Sequence, residues 1–431
     1  MRTSRLPGFY KLSVTERREI AASALGVPPE ALEKALAAGG LELATADKTV
    51  ENVIGTYALP FSVGLNVRLN GRDYLVPMVV EEPSVVAAAS NAAKIIRAGD
   101  GFQAEADEPV MTAQVHLSDA AEDAPARIEA ATPELVALAD AAIPGLVRRG
   151  GGTRGLEVRD LGDGLLAVHV HVDCRDAMGA NLVNTVAEAV APRLAELSGG
   201  SVALRILTNL CDRRLVRVRA HVPLEALAFG GHAAEAVRDG IVRASHIAER
   251  DPYRAATHNK GVMNGVDAAV VATGNDWRSV EAAAHAWAGR GASYAPLCTW
   301  RRGDDGGLVG FLEMPLALGI VGGPTRVHRG AQLALQIADV ASAQELAMLI
   351  GCVGMASNLA ALRALATDGI QRGHMRLHAR SVAIAAGARG GEVETVAARI
   401  HGAGDVTRAA AEHALGELRE GTLSSESHPA R

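Results

Sequence analysis

The chain has few cysteines, and their placement excludes two common roles. Four occur among 431 residues, and they are Cys174, Cys211, Cys298 and Cys352. They lie far apart and form no Cys-x-x-Cys pair, so the sequence predicts neither a disulfide framework nor a cysteine metal site. Widely spaced thiols in apolar surroundings favour a reduced, cytoplasmic protein that holds no metal.

Clusters of positive charge and long apolar runs are also missing. The formal net charge is -6 and no block of five or more Lys/Arg occurs, which argues against nucleic-acid or anionic-membrane partners. Residues 1–8 carry two arginines with no apolar run behind them, so no signal peptide is expected. The apolar stretch 308–321 is interrupted by Glu313 and Pro315 and is too short to span a bilayer. A soluble protein is predicted.

The apolar residues that are present suffice for more than one core. They make up 48% of the chain, and at this length two or three domains are expected. Ser13 and Glu16 form a capping-box pattern that predicts a helix start. Asn70-Gly71 predicts the tight turn of a hairpin over residues 65–80. A helix over residues 84–97 follows, with Pro83 suited to its first position.

Residues 109–209 show a different pattern of elements. The order is strand, helix, strand, strand, helix, strand, which is typical of a ferredoxin-like unit. The predicted ranges are 110–117, 124–141, 155–160, 165–172, 177–197 and 201–208. The triple glycine at 150–152 predicts a loop before the second strand. From residue 209 to about 363 the sequence is helix-rich, and two or three short helices with a polar tail from Gly421 are expected at the end.

Four polar residues stand where chemistry is possible, although each also has a simpler explanation. Glu82 lies where an apolar strand meets a helix start, so it could be a proton donor or only a helix cap. Lys260 is followed by the apolar stretch 266–273 and needs a partner charge. Asp276 precedes another helix and is also a candidate cap. His374, between Gly373 and Met375, could be an acid near neutral pH or a structural hydrogen-bonding group.

Together these motifs resemble the 3-hydroxy-3-methylglutaryl-coenzyme A (HMG-CoA) reductase family, in its soluble bacterial, class II form. The resemblance runs from about Ser4 to about Arg419. Its densest blocks are residues 75–84, 176–181 and 251–278, and the motifs at 51–55 and 373–375 also match. It implies the reversible four-electron reduction of HMG-CoA to mevalonate and free CoA by two NAD(P)H. The cellular direction stays open. A related acyl-CoA reductase with another substrate, and a non-catalytic CoA- or dinucleotide-binding relative, are the alternatives.

The resemblance also implies roles for individual residues. The catalytic set would be Glu82, Lys260, Asp276 and His374, with the first three in one hydrogen-bonded network and the histidine protonating the departing CoA thiolate. The contacts to the hydroxymethylglutaryl group would be Ser84, Asn209, Arg254 and Asn264. His378 could be a supporting contact or a solvent-exposed neighbour.

The predicted cofactor site departs from the common dinucleotide pattern. No Gly-x-Gly-x-x-Gly stands between a strand and a helix, so a Rossmann fold is not expected. The resemblance instead implies that a strand-to-helix turn binds NAD(P), through Asp176, Ala177, Met178, Gly179 and Asn181. Where an NAD-using member has an acidic residue for the adenine ribose, this chain has Ile143. Asp140 could substitute, or Arg148 and Arg149 could bind a 2'-phosphate; NAD(H) is slightly favoured over NADP(H) by overall similarity.

The predicted fold class is α+β. A helix-rich, discontinuous large domain (residues 1–108 and 209–372) would carry an inserted ferredoxin-like, dinucleotide-binding small domain (109–208), and a helical C-terminal flap with a polar tail would follow (373–431). The resemblance further implies a homodimer with shared active sites, and a hexamer as the full assembly.

Overall fold

The computed structural model describes residues 3–367 and 370–426, and the side chains in these ranges apart from those of residues 324, 370–377 and 421–426. Two sheets organise the fold, one of six strands and one of four. The strands are β1 (Phe61–Leu69), β2 (Arg72–Val79), β3 (Phe102–Ala106), β4 (Val110–Ser118), β5 (Gly152–Gly162), β6 (Leu165–Asp173), β7 (Ser201–Leu207), β8 (Leu215–Val222), β9 (Cys298–Arg302) and β10 (Leu308–Pro315).

Helices cover these sheets and form the C-terminal part of the chain. They are α1 (Val14–Leu25), α2 (Pro29–Leu36), α3 (Leu43–Thr49), α4 (Val85–Ile96), α5 (Ala124–Ala130), α6 (Thr132–Ala142), α7 (Pro144–Val147), α8 (Ala180–Ser198), α9 (Ala234–Arg250), α10 (Pro252–Ala272), α11 (Trp277–Ala288), α12 (Arg329–Ala338), α13 (Ala343–Ala366), α14 (Ile370–Ala385), α15 (Gly391–Gly402) and α16 (Arg408–Glu426). The predicted α+β class is confirmed.

Two local sequence signals near the N-terminus are confirmed, and a third is wrong by a few residues. Ser13 and Glu16 form the complete capping box that opens α1. Asn70 and Gly71 have φ of 49° and 82°, the left-handed pair that a two-residue turn requires, and they join β1 to β2 in an antiparallel hairpin. The prediction for α4 was wrong at its start: the helix begins at Val85, so Pro83 is not its first residue.

The four-stranded sheet has the order β5-β6-β4-β7 and is antiparallel throughout, which is the arrangement expected of a ferredoxin-like unit. Its core includes Val115, Val168 and Leu194, all fully buried. The predicted single helix over residues 124–141 is divided into α5 and α6. Pro133 explains the division, because proline has no amide N–H to donate to the carbonyl four residues earlier and is tolerated only in the first turn of a helix, where it lies in α6.

The larger sheet was mostly missed by the sequence analysis. Its strand order is β2-β1-β3-β8-β10-β9, and β8, β9 and β10 lie in the region predicted only as helix-rich. In β8 buried and more exposed side chains alternate in part, as expected for a sheet with one face against the core and one face less covered. The buried face of this sheet, with Phe102 and Trp300, forms the main core together with α4, α10 and α13.

Close packing of α10 against α13 fixes the helix that carries Lys260. A Cβ on Gly265 of α10 would lie 2.6 Å from the carbonyl oxygen of Val353 in α13, so only glycine allows this approach. By length and composition α13 could cross a membrane, but 78% of its most apolar 18-residue segment is buried in the fold. It therefore has the character of a core helix.

The C-terminal helices form a small cluster with its own core. Ala379, Val396 and Leu415, one from each of α14, α15 and α16, are buried against one another. The predicted polar tail from Gly421 is wrong in part, since α16 continues to Glu426; residues 427–431 lie outside the described part of the chain.

Candidate active site

The turn between β2 and α4 presents Glu82 and Ser84. Ser84 is the N-cap of α4 with φ of 80°, a left-handed conformation that costs free energy for a non-glycine residue. Its Oγ is buried and has no hydrogen-bond partner among the described residues. Strain and an unsatisfied hydroxyl at one position are typical of a functional site.

Lys260 extends from α10 toward this turn. Its Nζ lies 3.1 Å from Oε2 of Glu82, and the two side chains are 61% and 36% exposed. An ion pair this open adds little stability, but it remains accessible to a ligand. The structure thus brings together two of the four predicted catalytic residues, which are 178 positions apart in sequence.

The neighbours of Lys260 hold its helix in place. Asn259 donates from Nδ2 to the carbonyl of Ala295 at 2.9 Å and accepts from the amide of Leu297 at 2.8 Å. His258 donates from Nε2 to the carbonyl of Cys298 at 2.8 Å. Burial lowers the pKa of His258 to about 4, so this histidine is neutral at pH 7. Both residues are structural, and Lys260 alone of the three points outward.

Arg254, also on α10, is a half-buried cation without a counter-ion. Its Nη1 is buried and has no hydrogen-bond partner in the described part of the structure. Burial lowers the pKa of the guanidinium, which shows that the charge has lost water without gaining an anion. Such a group is suited to a bidentate bond with a carboxylate ligand.

The other predicted substrate contacts are less constrained. Asn264 is half-buried on α10 one turn after Lys260, and therefore on the same face of that helix. Asn209 is exposed in the loop after β7. His378 is exposed on α14, and the His374 side chain lies outside the described residues.

Asp276 caps α11 and does not join Glu82 and Lys260 within this chain. Its Oδ1 accepts from the amides of Arg278 and Ser279 at 3.1 and 3.3 Å. Among the described residues it makes no hydrogen bond to Lys260 or Glu82. The amide of Asn275 bonds to the carbonyl of Val270, which holds Asp276 at the far end of α10. At 1.5 Å per residue, this is roughly 15 Å along the axis from Lys260.

The turn from β6 into α8 has the features of an anion-binding loop. Gly179 is the N-cap with φ of 107°, without a side-chain cap, and the first turn of α8 has no acidic residue. A Cβ at Gly179 would lie 2.4 Å from the sulfur of Cys174, so the tight turn requires glycine. The first amides of this 19-residue helix therefore have no side-chain acceptor, and Asn181 is exposed beside them.

The carboxylate of Asp176 has a structural partner. Its Oδ1 accepts from the amide of Ala343 at 3.0 Å, which fastens the loop to the start of α13. The backbone of Asp176 also accepts from the amide of Ile320 at 2.9 Å.

Two residues that the sequence analysis did not identify join the predicted cofactor loop to the Asp276 turn. Arg214 is buried and donates to the carbonyls of Ala177, Met178 and Leu318. Asn275 exchanges two hydrogen bonds with the backbone of Gly319, at 2.8 and 3.1 Å.

Gly319 itself lies against Met178, since a Cβ on it would be 2.5 Å from the Met178 amide nitrogen. Asp276 is therefore adjacent to the turn of its own chain that is predicted to bind the dinucleotide. A buried arginine and an Asn preceding a helix cap carry no sequence signal for this role.

A cavity of about 830 Å³ lies between the N-terminal segment and α4. Its wall is largely apolar and includes Phe9, Val63 and Val86. Four cations also line it, and they are Arg5, Arg17, Arg18 and Lys94. The cavity extends along α4, whose first turn carries the Ser84 end of the site. The sequence analysis did not predict it, because the lining comes from separate segments.

Comparisons with known proteins agree on one family. A model of the family described as hydroxymethylglutaryl-coenzyme A reductase matches residues 13–379. The chain is 46% identical over 399 residues to the 3-hydroxy-3-methylglutaryl-coenzyme A reductase of Archaeoglobus fulgidus, covering 91% of this chain and 90% of that protein.

Solved structures give the same result. A 3-hydroxy-3-methylglutaryl-coenzyme A reductase from Streptococcus pneumoniae superposes with a TM-score of 0.81 at 40% identity, over 96% of this chain and 99% of that one. A class II reductase from the same organism, bound to NADPH in open conformations, superposes with a TM-score of 0.80 at 42% identity, over 83% and 99%. The resemblance noted in the sequence is confirmed, and the chain belongs to the hydroxymethylglutaryl-coenzyme A reductase family.

Proposed function

We propose that the chain reduces HMG-CoA to mevalonate and CoA, using Glu82, Lys260, Asp276 and His374. The observation that carries this proposal is the 3.1 Å pairing of Lys260 with Glu82, beside the unsatisfied Ser84 hydroxyl. A lysine charge and a carboxyl group at one open site can stabilise an oxyanion and exchange a proton. Both operations are needed to reduce a thioester and then an aldehyde.

Each residue has a separate task in this account. The bound nicotinamide cofactor supplies hydride in two successive transfers. Lys260 stabilises the oxyanion that develops on the thioester carbonyl, and later on mevaldehyde. Glu82 supplies the proton that completes aldehyde reduction. His374 protonates the CoA thiolate, a step suited to a histidine near neutral pH.

Arg254 is proposed to bind the free carboxylate of the hydroxymethylglutaryl group, with Ser84, Asn209, Asn264 and His378 as further contacts. The uncompensated Arg254 charge and the Ser84 hydroxyl are the best supported of these. Both lack a protein partner in the described structure, whereas a substrate carboxylate and hydroxyl could satisfy them.

Replacement of Arg254 by alanine is expected to raise KM for HMG-CoA about a hundredfold with a smaller effect on kcat, because a charge-assisted bond of about 2–3 kcal/mol is lost. Steady-state kinetics would measure the change. Arg250→Ala, in the exposed last turn of α9, is the matched control and should leave KM unchanged. A large fall in kcat at unchanged KM would contradict carboxylate binding.

The residues around the α8 turn fit a dinucleotide. The proposed contacts are Asp176, Ala177, Met178, Gly179 and Asn181, with the pyrophosphate at the helix N-terminus. The choice between NAD(H) and NADP(H) rests on the residues near the triple glycine. Ile143 is buried and apolar, and Oδ1 of the Asp140 carboxylate accepts from the Thr153 amide at 2.7 Å, so Asp140 is already engaged in part by its own chain.

Two arginines near the same loop favour NADP(H), against the slight preference for NAD(H) that overall similarity gave. Arg148 and Arg149 are exposed and make no ion pair among the described residues. A Cβ on Gly145 would lie 4.0 Å from Nη2 of Arg148 and 3.7 Å from Nη1 of Arg149. Both guanidinium groups therefore lie beside Gly145, and two such cations at one place are suited to a 2'-phosphate.

The cavity beside α4 is proposed to receive the CoA part of the substrate. Its apolar wall suits the pantetheine chain, and its four cations suit the CoA phosphates. It lies on the α4 side of the site, so a thioester bound there could approach Glu82.

A second copy of the chain is proposed to complete the site. Within one chain Asp276 bonds to the amides of its own helix start and not to Lys260 or Glu82 in the described structure, which leaves the predicted network incomplete. A partner could bring its own Asp276 turn and adjacent cofactor loop to the Glu82–Lys260 pair. Exposed aromatic residues beside these motifs, Tyr253 at 87% and Tyr57 at 89%, support such an interface. A hexamer built from these dimers is the proposed assembly.

The proposed domain division follows the two main cores. One core draws on residues 67–102 and 216–362, and the other mainly on residues 111–211. This supports a large domain over 1–108 and 209–372, an inserted small domain over 109–208, and a C-terminal flap over 373–431. The four cysteines are free and buried, which supports the proposed cytoplasmic location.

The proposed activity can be tested in the oxidative direction. Purified chain is incubated with mevalonate and CoA, and absorbance at 340 nm is followed with NAD or NADP. The expected result is reduction that requires both mevalonate and CoA, and that is faster with NADP. Turnover with other acyl-CoA thioesters but not with HMG-CoA would favour the altered-substrate alternative. A folded chain that binds CoA without turnover would favour the non-catalytic one.

A further inference from the structure

A group of acidic and basic side chains outside the proposed catalytic set connects α10 to α11. Asp267 of α10 is half-buried, and its buried Oδ1 has no conventional hydrogen-bond partner among the described residues. Glu281 of α11 lies within hydrogen-bonding reach of it. Two carboxylates in contact and shielded from water cannot both stay ionised cheaply.

Glu281 also contacts a histidine, which in turn contacts a tyrosine. His285 Nε2 lies 2.7 Å from Oε2 of Glu281, and His285 Nδ1 lies 2.6 Å from the Tyr294 hydroxyl. Donors can be assigned in one consistent direction: Tyr294 donates to His285, and His285 donates to Glu281. Glu281 is then an acceptor on this side, so the proton between the two carboxyl groups belongs mainly to Asp267.

The surroundings of Asp267 offer no other charge. Burial first, and then the Glu281 carboxylate, raise the pKa of Asp267 to about 8. The other elements packed on α10 are α4, α9, α12, α13 and β2, and from their described residues no titratable group acts on Asp267. At neutral pH the pair therefore holds one proton.

The position of this pair links it to both halves of the proposed site. Asp267 is seven residues after Lys260, nearly two full turns, and so lies on the same face of α10. Glu281 is five residues after Asp276 on α11. The carboxyl pair thus fastens the helix that carries Asp276 to the helix that carries Lys260.

We propose that Asp267 and Glu281 share one proton and, through it, act as a positioning pair that fixes α11 against α10, and with it the Asp276 turn that this chain would present to its partner's site. Loss of that proton leaves two adjacent carboxylates, whose repulsion separates the helices. Neither residue touches the reacting atoms in this account. The proposal rests on the proposed function for its kinetic consequence only.

The kinetic test compares kcat/KM from pH 6 to pH 9.5 for the natural chain and Asp267→Asn. An asparagine amide donates to Glu281 at every pH, so the variant keeps the link after the natural pair has lost it. The kcat/KM of Asp267→Asn, divided by that of the natural chain, should be near one at pH 6.5. The same quotient should be about ten at pH 9, one unit above the pKa of the pair. The exposed Asp47→Asn change is the matched control. A ratio that is constant across the pH range would overturn the proposal.

A stability measurement tests the same pair without any turnover. Because its pKa is raised on folding, Asp267 stabilises the fold fully below about pH 3.8, and this contribution is lost as pH rises through about 8. The Tm of the natural chain should therefore fall more between pH 5 and pH 9 than that of Asp267→Asn. An equal fall in Tm for the two proteins would contradict the shared proton. This outcome does not depend on whether the chain is a reductase. Glu281→Gln offers the reciprocal variant should Asp267→Asn fail to fold, with the same expected result.

Discussion

Replacement of Lys260 by alanine is expected to lower kcat for HMG-CoA reduction about a thousandfold, with the fold intact. The lysine supplies a fixed positive charge where the oxyanion develops, and removal of such a group commonly costs 10²–10³ in rate, about 3–4 kcal/mol. The folded state should tolerate the change, because the Lys260 side chain is 61% exposed and exposed ion pairs contribute little stability.

Lys48→Ala is the matched control, since Lys48 is 84% exposed and, among the residues that the structure describes, pairs only with the adjacent Asp47. Its kcat should equal that of the natural chain. Thermal unfolding of both variants would show that the loss at Lys260 is chemical. Near-normal turnover by Lys260→Ala would contradict the oxyanion role directly.

Replacement of Glu82 by glutamine is expected to reduce mevaldehyde reduction by about 10²–10³. Glutamine preserves the size of the side chain and can still accept a hydrogen bond from Lys260, so the change mainly removes the transferable proton. The measurement is single-turnover reduction of mevaldehyde by NADPH. This assay isolates the step in which the alkoxide must be protonated.

The adjacent Glu81 provides an unusually close control. It is exposed and forms no ion pair within the described structure. It is also the same residue type as Glu82, at the neighbouring position in the sequence. Glu81→Gln should retain full activity. If both variants lost activity to the same extent, the assignment of the proton donor to Glu82 would be wrong.

Local signals in the sequence were sufficient for the elements that depend on neighbouring residues. The capping box at Ser13, the Asn70-Gly71 turn and the ferredoxin-like order all follow from short-range patterns. The six-stranded sheet could not be predicted in the same way. It pairs β3 with β8 across more than a hundred residues, and nothing in either strand specifies its partner.

The candidate site shows the same limit. Motifs identified Glu82 and Lys260, but only folding shows that they meet. Asp276 was expected in the same network, whereas the structure places it at the far end of α10, beside the turn of its own chain that is predicted to bind the cofactor. The link through Asn275 and Gly319 depends on backbone contacts between distant segments, which residue type does not reveal. Arg254 was named from the resemblance, and its unpaired burial supplies the physical reason.

The most direct test of the central claim is the ratio of cofactor consumed to substrate consumed. A limiting amount of HMG-CoA is added to the purified chain with excess NADPH, and the fall in absorbance at 340 nm is followed to completion. The account predicts two NADPH oxidised and one free CoA released for each HMG-CoA. One NADPH per HMG-CoA would mean that the reaction stops at the aldehyde, and no oxidation by a folded, CoA-binding chain would contradict the assignment of Glu82 and Lys260 as a catalytic pair.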